Sequence, residues 1–504
     1  MTIADVLKPA LASRPGAPAV TGPSGTLSYA SLDQAADAAA GALWRLGVRP
    51  GDRVAACLPN DLDIVVAFHG AQRIGAIWAG VNEAYPAAEQ QAIVDLITAA
   101  VVLAGPRWKA AGPPGTGAGV IDERRWRSLL AQAPGAPPVT TDPDAPAGIG
   151  FTSGTTGAPK GIVHSQRNLL LPGEVLVATR GWGPSLRKGD CLPLTLLNMQ
   201  VLTTLVTARA GGCCVLTGRR DATGVAEWIA AERVTVWNGV PAQLHDLARH
   251  PELDLSSLAE VWCGGAGTPE ELRRAFEDTH HRPVRATYGL SEAPTVVAID
   301  PVAAPARPGV SGQVLPQLDV AAYSPLGRRL PPGQPGELRL AAATAGPWAG
   351  AWTPALGEWR DGALAPAAPG PYPTGDIGVV GPDGWLTVTD RKKLIIVRGG
   401  ANVYPAEVER VIRRHEAVAE VAVFGIPDER LGERVAALVQ LRDSPDPAAD
   451  LTAIGNLCRA ELARYKVPEA WSVVDALPLN PMGKIIRTGL ASLLAGPGGG
   501  RSER

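Results

Sequence analysis

The sequence predicts an α/β protein: a large N-terminal domain of layered α/β subdomains plus a small β unit, followed by an α+β C-terminal domain. Three observations carry this. Between residues 53 and 277, short apolar runs alternate with segments whose apolar residues recur at helical spacing, the pattern of parallel strands joined by helices. From about 310 to 390 the texture changes to short strands broken by Gly and Pro, as in Gly336-Glu-Leu-Arg-Leu340 and Gly384-Trp-Leu-Thr-Val388. At Asp390-Arg-Lys-Lys393 a charged step ends that texture, and the apolar pattern beyond it is that of a compact α+β unit. The expected division is residues 1–390, residues 391–496 and a Gly-rich, charged, disordered tail at 497–504. A chain of 504 residues exceeds the usual single domain, and 46% hydrophobic residues suffice for a large core.

Taken in order, Ser31-Leu-Asp-Gln34 has the capping-box pattern, and Leu32, Ala35, Ala36, Ala39, Leu43 and Leu46 form a helical stripe that stops at Gly47. Arg53–Leu58 reads as a buried strand, Leu62–Ile74 as a helix, Ile77–Val81 as a strand, Ala87–Ile97 as a helix and Ala100–Ala104 as a strand. Two Pro/Gly-rich stretches, Gly105–Gly119 and Ala133–Gly148, flank a short helical piece and read as surface connectors. Alternation then resumes: helix Gln166–Ala178, helix Val201–Ala210, strand Cys213–Leu216, helix Gly224–Ala231, strand Val234–Trp237, helix Pro241–Arg249, strand Leu258–Cys263 and helix Pro269–Glu277. In the C-terminal part Pro405 opens a helix, with Glu407 and Glu409 in its first turn and Arg413, Arg414 and His415 in its last, matching the helix dipole at both ends. Strands Val418–Phe424 and Val435–Leu441 and a helix Leu451–Ala463 complete it.

A formal net charge of -2 offers no basic surface for nucleic acid, so a small-molecule ligand is expected. The six cysteines, at 57, 191, 213, 214, 263 and 458, form no C-x-x-C pair and no zinc spacing, which suits a reducing cytoplasm. The start lacks a basic region followed by an apolar one, and no continuous apolar window reaches membrane length; neither export nor a membrane span is expected.

Phe151-Thr-Ser-Gly-Thr-Thr-Gly-Ala-Pro-Lys-Gly161 is a phosphate-cradling loop: its glycines permit a tightly folded backbone, its amides and hydroxyls donate, and Lys160 supplies charge. It is not of the Walker type, because two residues separate Gly154 from Gly157 and a proline precedes Lys160. Thr287-Tyr-Gly-Leu-Ser-Glu292 joins an aromatic face suited to stacking on a base with a carboxylate suited to Mg²⁺ beside phosphates. Tyr372-Pro-Thr-Gly-Asp-Ile-Gly378 sets one acid between glycines, where it accepts hydrogen bonds from a diol. Asp390-Arg391, then Gly399-Gly400-Ala-Asn-Val-Tyr-Pro-Ala-Glu407, is a longer string, and Leu477-Pro-Leu-Asn-Pro-Met-Gly-Lys484 places a lysine on a turn near the C-terminus.

In this order the five strings resemble the adenylate-forming superfamily of acyl-CoA synthetases, aryl-acid ligases, peptide-synthetase adenylation domains and luciferases, over nearly the whole chain from the Ser31 helix to Lys484. The resemblance implies ATP, Mg²⁺ and coenzyme A as ligands, and a mobile C-terminal lid turning about a hinge at Lys393. It implies that Thr152, Ser153, Gly154, Thr155, Thr156, Gly157 and Lys160 hold the pyrophosphate end of ATP. Gly265, Ala266 and Gly267 would line the adenine and acid pocket, Tyr288, with Gly289 beside it, would stack on adenine, and Glu292 would bind Mg²⁺. Asp376 and Arg391 would grip the ribose, Lys484 would support carboxylate attack on the α-phosphorus, and Gly399 and Gly400 would line the pantetheine tunnel. Catalysis is thereby expected of Lys484, Glu292 and Lys160.

The acid pocket is less legible. Many acyl- and aryl-CoA ligases carry a histidine or aromatic ring in the stretch matching Leu192–Gln200, and this chain has neither. Asn198, Trp237, Asn238, Val240 and Thr287 are the candidate lining, and an apolar or aromatic acid is expected. His164, after the phosphate loop, reads equally as a packed residue or as an acid or base. Two alternatives stand beside the CoA ligase: an enzyme loading its acyl group onto a carrier protein, which shares every motif, and a non-catalytic nucleotide-binding relative, which would have no chemical need for Lys484.

Overall fold

The computed structural model describes residues 1–113, 119–135, 139–153, 159–264, 270–304, 306–398, 401–479 and 485–494. The chain divides into two compact units: Met1–Val320 with Leu340–Tyr372 and Gly384–Leu386, and Ala321–Arg339 with Pro373–Asp383 and Thr387–Arg504.

In the first unit two large sheets are layered with helices. The nine-stranded sheet runs in the order 313–314, 295–299, 284–290, 260–263, 236–239, 187–190, 213–216, 18–22 and 25–28. Its pairings from Val284–Leu290 to Pro18–Gly22 are all parallel. The eight-stranded sheet runs 363–366, 357–360, 159–165, 146–153, 77–80, 53–57, 101–104 and 120–122. Strands such as Arg53–Cys57, Ile77–Gly80 and Val101–Ala104 are nearly or wholly buried, which is why they read as apolar runs rather than alternating ones. Helices Tyr29–Arg45 and Leu62–Arg73 pack between the sheets: one core cluster holds Leu32 and Leu43, Ile64 and Phe68, Val20 and Leu216 of one sheet, and Val54, Trp78 and Leu103 of the other. Phe68 meets Trp78 edge-on, with ring centroids 5.6 Å apart. Each such side chain contributes about 1.5–3 kcal/mol when fully buried.

The second unit carries a five-stranded sheet in which Ile396–Arg398, Ala401–Val403, Val418–Asp428 and Gly432–Leu441 pair antiparallel, and Ala470–Val473 joins Gly432–Leu441 in parallel. Helices Pro405–Ile412 and Pro447–Glu461 cover it through Val408, Ile412, Ile454 and Cys458. A further four-stranded sheet, in the order 318–323, 336–342, 372–380 and 386–391, accounts for the Gly/Pro-broken texture expected there.

Several expectations are corrected. The first long helix begins at Tyr29, and its cap is Ser28, whose Oγ accepts from Ser31 N at 3.1 Å, so Ser31 lies inside the helix. The segment expected as one α-helix from Val201 is a short turn Leu197–Met199, a π-helix Gln200–Leu205 and an α-helix Val206–Ala210. The C-terminal helix closes at Ile412, so Arg410 rather than Arg413, Arg414 or His415 sits in its last turn. A strand at Arg187–Asp190 went unforeseen, as did the hairpin Pro18–Gly22/Gly25–Ser28.

Candidate active site

The described ends of the phosphate-loop motif, Phe151–Ser153 and Pro159–Gly161, lie on two paired strands. Strand Pro146–Ser153 pairs antiparallel with Pro159–Ser165 in the register Phe151↔Gly161, Thr152↔Lys160 and Ser153↔Pro159. A Walker loop opens a helix, whereas this chain returns as a strand, in agreement with the spacing argument. Lys160 is half-exposed, with Nζ 3.7 Å from Oε1 of Glu358 on the neighbouring strand Gly357–Arg360. Gly154, Thr155, Thr156 and Gly157 lie outside the described residues, as do Gly265, Ala266, Gly267, Gly399, Gly400, Lys484 and the expected tail at 497–504.

At the other end of that hairpin strand, His164 is fully buried and spans two motifs. Its Nε2 lies 2.7 Å from the Ser291 carbonyl, next to Glu292, and its Nδ1 lies 3.1 Å from Asn168 Nδ2. Burial pushes its pKa down to about 4 from 6.5. The ring is therefore neutral at pH 7, donating from Nε2 to Ser291 and accepting at Nδ1, which makes it a packed brace rather than an acid or base. The unfolded chain takes up this proton near pH 6.5 and the folded chain only near pH 4. Stability from keeping the ring neutral is thus complete above 6.5 and lost as the pH falls toward 4. Urea unfolding of His164→Gln is expected to show a shallower loss of stability between pH 7 and pH 5 than the wild type; an unchanged slope would refute the buried neutral ring.

Strand Val284–Leu290 carries Thr287, Tyr288 and Gly289, and its pairing with Thr295–Ile299 shifts register between Tyr288 and Gly289. Such a bulge re-aims the side chains around it. Tyr288 is half-buried and Gly289 exposed. Thr287 Oγ1 donates to the Cys263 carbonyl at 3.2 Å, and a Cβ on Gly264 would stand 2.1 Å from that oxygen. Gly264→Ala is therefore expected to lower stability by about 1–3 kcal/mol. Gly264→Ala combined with Thr287→Ala, which removes the clashing oxygen, should recover most of the melting temperature; equal losses in the single and double variants would show that the contact is not the cause. Tyr372, in the same unit, has its phenol raised by burial and by the Glu292 and Glu358 carboxylates, placing those charges around one ring.

In the second unit Asp376 is buried and pairs with Arg391, whose Nε lies 3.1 Å from Oδ1. Gly375 takes a left-handed φ of 72° immediately before it, and Asp376 N donates to Thr374 Oγ1 at 3.0 Å. The turn thereby fixes the carboxylate, while the Arg391 side chain stays mostly exposed. Lys393 lies in a 3₁₀ turn, Lys392–Leu394, just after strand Leu386–Arg391. Asp390 braces that junction, accepting from Arg391 N at 2.7 Å and from Ala406 N at 2.9 Å.

Of the candidate acid-pocket residues, Asn238, Val240 and Thr287 lie at or just beyond the parallel-paired parts of strands Val236–Gly239 and Val284–Leu290, the end at which open α/β sheets bind ligands, whereas Trp237, expected in the lining, is wholly buried in the core. Strand alternation sends Trp237 into the apolar core and Asn238 to the opposite face. There Asn238 Oδ1 accepts from Lys188 Nζ at 2.9 Å, and Asn238 Nδ2 donates to Asp190 Oδ2 at 2.7 Å. Thr203 Oγ1 donates to the same Asp190 oxygen at 2.7 Å. Burial pushes Lys188 down to about 8, against the pull of Asp190, and raises Asp190 despite Lys188 and its hydrogen bonds. Val240 caps helix Pro241–Leu247, its N donating to Gln243 Oε1 at 3.2 Å, and Asn198 is half-buried in the turn Leu197–Met199. Asp190, Lys188 and Thr203 were not singled out from sequence, and His164 was left open between a packed residue and an acid or base; no local pattern marks the first three.

Among the described residues no group of three or more His, Cys, Asp or Glu is arranged to hold a metal, and no helix is long and apolar enough to cross a membrane.

The AMP-binding enzyme family matches residues 7–346, and the AMP-binding enzyme C-terminal domain matches residues 407–484. A long-chain-fatty-acid–CoA ligase of Mycobacterium tuberculosis is 33% identical over 490 residues, covering 92% of each chain. A feruloyl-CoA synthase of Amycolatopsis is 31% identical over 485 residues, covering 94% of this chain and 95% of that one. Among solved structures, o-succinylbenzoate CoA synthetase from Bacillus subtilis in complex with its acyl-adenylate superposes with a TM-score of 0.84 at 25% identity, covering 98% of this chain and 99% of that one.

Proposed function

The chain belongs to the AMP-binding enzyme family, and from that premise we propose that it is an AMP-forming acid–CoA ligase. A carboxylate oxygen of the substrate attacks the α-phosphorus of ATP and pyrophosphate leaves; the thiol sulfur of coenzyme A then attacks the acyl carbonyl and AMP leaves. The observation that carries this reading is the His164–Ser291 hydrogen bond, which ties the strand bearing Lys160 to the segment bearing Glu292 within one unit. Charge building up on the leaving pyrophosphate and the carboxylate holding the metal then belong to one braced frame, preorganised before substrate arrives.

In this reading Thr152 to Gly157 and Lys160 hold the phosphates, Gly265 to Gly267 line the adenine pocket, Tyr288 stacks on the base, and Asp376 with Arg391 holds the ribose. Lys484 stabilises the attack, and Gly399 and Gly400 face pantetheine. Glu292 fits Mg²⁺, which takes one or two carboxylates plus phosphate oxygens; when bound, the ion neutralises phosphate charge. Residues 391–496 act as a lid that alternates between the two half-reactions about Lys393, a role supported by the C-terminal domain match over residues 407–484. Six buried cysteines suit a cytoplasmic setting.

The test is acid-dependent exchange of labelled pyrophosphate into ATP over a panel of carboxylic acids, followed by AMP release on adding CoA. Exchange with no acid sinks the reading. Exchange without CoA-dependent AMP release points instead to a carrier-protein acceptor.

A further inference from the structure

Gln200 is 0% exposed, and neither its Oε1 nor its Nε2 has a hydrogen-bond partner among the described residues. Buried side-chain amides are almost always matched, because an unmatched pair of polar atoms in a dry interior is destabilising. Thr195 Oγ1, five residues before Gln200, and Asn168 Oδ1, on the helix Gln166–Arg180, are likewise unmatched among the described residues.

The position of Gln200 gives this meaning. Leu197–Ala210 is the crossover between the parallel strands Arg187–Asp190 and Cys213–Leu216, so it starts at the edge where those strands end. Thr203, one turn beyond Gln200, bonds Asp190 at that edge. On the other side Leu197 packs on the phosphate-loop hairpin, where a Cβ on Gly150 would meet Leu197 Cβ at 3.6 Å. Thr195 is held against the eight-stranded sheet, since a Cβ on Gly80 would stand 2.0 Å from its carbonyl oxygen. The chain around Gln200 is a π-helix, a form that recurs at functional sites because it displaces side chains from the regular ladder. Gln200 thus stands between the hairpin that leads to the phosphates and the strand ends that bear Asn238 and Asp190. In the ligase reading those strand ends, which carry candidate acid-pocket residues, receive the tail of the acid.

We propose that Gln200 is a specificity-determining residue: its amide pairs with a neutral hydrogen-bonding group, a hydroxyl above all, on the tail of the acid substrate. The inference rests on the ligase reading and narrows it. A hydroxyl both donates and accepts, so it can match either amide atom, whereas a plain alkyl or aryl tail would leave both unmatched. Sites built to hydrogen-bond a substrate hydroxyl discriminate strongly against the analogue without it, because the protein group is then stranded.

The test compares 4-hydroxycinnamate with cinnamate, and 10-hydroxydecanoate with decanoate, in acid-dependent pyrophosphate exchange by the full-length wild type and by Gln200→Leu. The wild type is expected to favour the hydroxylated member of at least one pair by about 10- to 100-fold in kcat/KM. Gln200→Leu should bring the ratio of kcat/KM between the hydroxylated and plain members to about 1 while leaving the KM for ATP unchanged, with a melting temperature equal to or above that of the wild type. Equal wild-type rates within both pairs, or a preference that survives in Gln200→Leu, overturns the inference alone. Loss of both members alike in a variant with a lowered melting temperature shows a merely structural amide and overturns it too. Absence of exchange with every acid sinks the ligase reading and this inference with it.

Discussion

Replacing Lys484 with alanine is expected to slow acyl-adenylate formation by about two to three orders of magnitude, the usual cost of deleting one charged or oriented donor at a developing oxyanion. Thioester formation from a supplied acyl-adenylate should keep most of its rate. In the first half-reaction an anionic carboxylate approaches a polyanionic triphosphate, and a cation between them lowers the repulsion where the new bond forms. In the second, a thiol attacks an acyl carbonyl whose leaving group is AMP, and no such approach of like charges occurs. Lys466 supplies the control: its Nζ lies 2.7 Å from both carboxylate oxygens of Glu407, a pair within the second unit. Lys466→Ala should lower the melting temperature of the enzyme without separating the half-reactions. Equal losses in both half-reactions for Lys484→Ala would refute the assigned role.

The same contrast shows what sequence could and could not reveal. Helix Ala87–Ile97 and strand Cys213–Leu216 were legible to the residue, because apolar periodicity and burial coincide there. Strand Arg187–Asp190 was not: Arg-Lys-Gly-Asp reads as a polar turn, and it is a strand because Lys188 and Asp190 satisfy each other through Asn238 in the interior. Long-range partners of this kind leave no local periodicity. The π-helix escaped for a related reason, since its apolar residues also fit a helical repeat and the elements it packs against, helix Gln166–Arg180 and strand Arg187–Asp190, leave no mark in its own sequence. The cap at Ser28 was misplaced because Ser28 and Ser31 offer the same hydroxyl three residues apart, and only the extended backbone at Ser28 decides between them.

The nucleotide motifs are short, local strings whose chemistry is carried by residue type, so they could be read in order. How they are held could not. Nothing in the sequence near His164 indicates that its ring reaches Ser291, 127 positions away. Nor does Asn60 advertise that it pins the segment Leu192–Leu194, donating to the Leu192 carbonyl and accepting from Leu194 N, each at 2.8 Å.

Glu292→Gln should likewise lower acyl-adenylate formation by about two to three orders of magnitude, and its signature should be a changed dependence on Mg²⁺. A neutral amide keeps the size and one acceptor oxygen of the carboxylate but not the charge that draws a hard divalent cation. The brace survives the substitution, because His164 bonds the main-chain carbonyl of Ser291 rather than the Glu292 side chain. Comparing the melting temperatures of Glu292→Gln and wild type in the absence of ATP then separates loss of charge from loss of structure. A second readout is independent of turnover. Glu292 is one of the two carboxylates that, after burial, hold the Tyr372 phenol above its ordinary pKa. Removing that charge should let Tyr372 ionise at lower pH, detectable by ultraviolet titration against a Tyr372→Phe reference. A variant that loses activity with unchanged Mg²⁺ dependence and an unmoved Tyr372 titration would place Glu292 outside the metal site. A shift in both would tie the carboxylate to the cation and to the ring beside it.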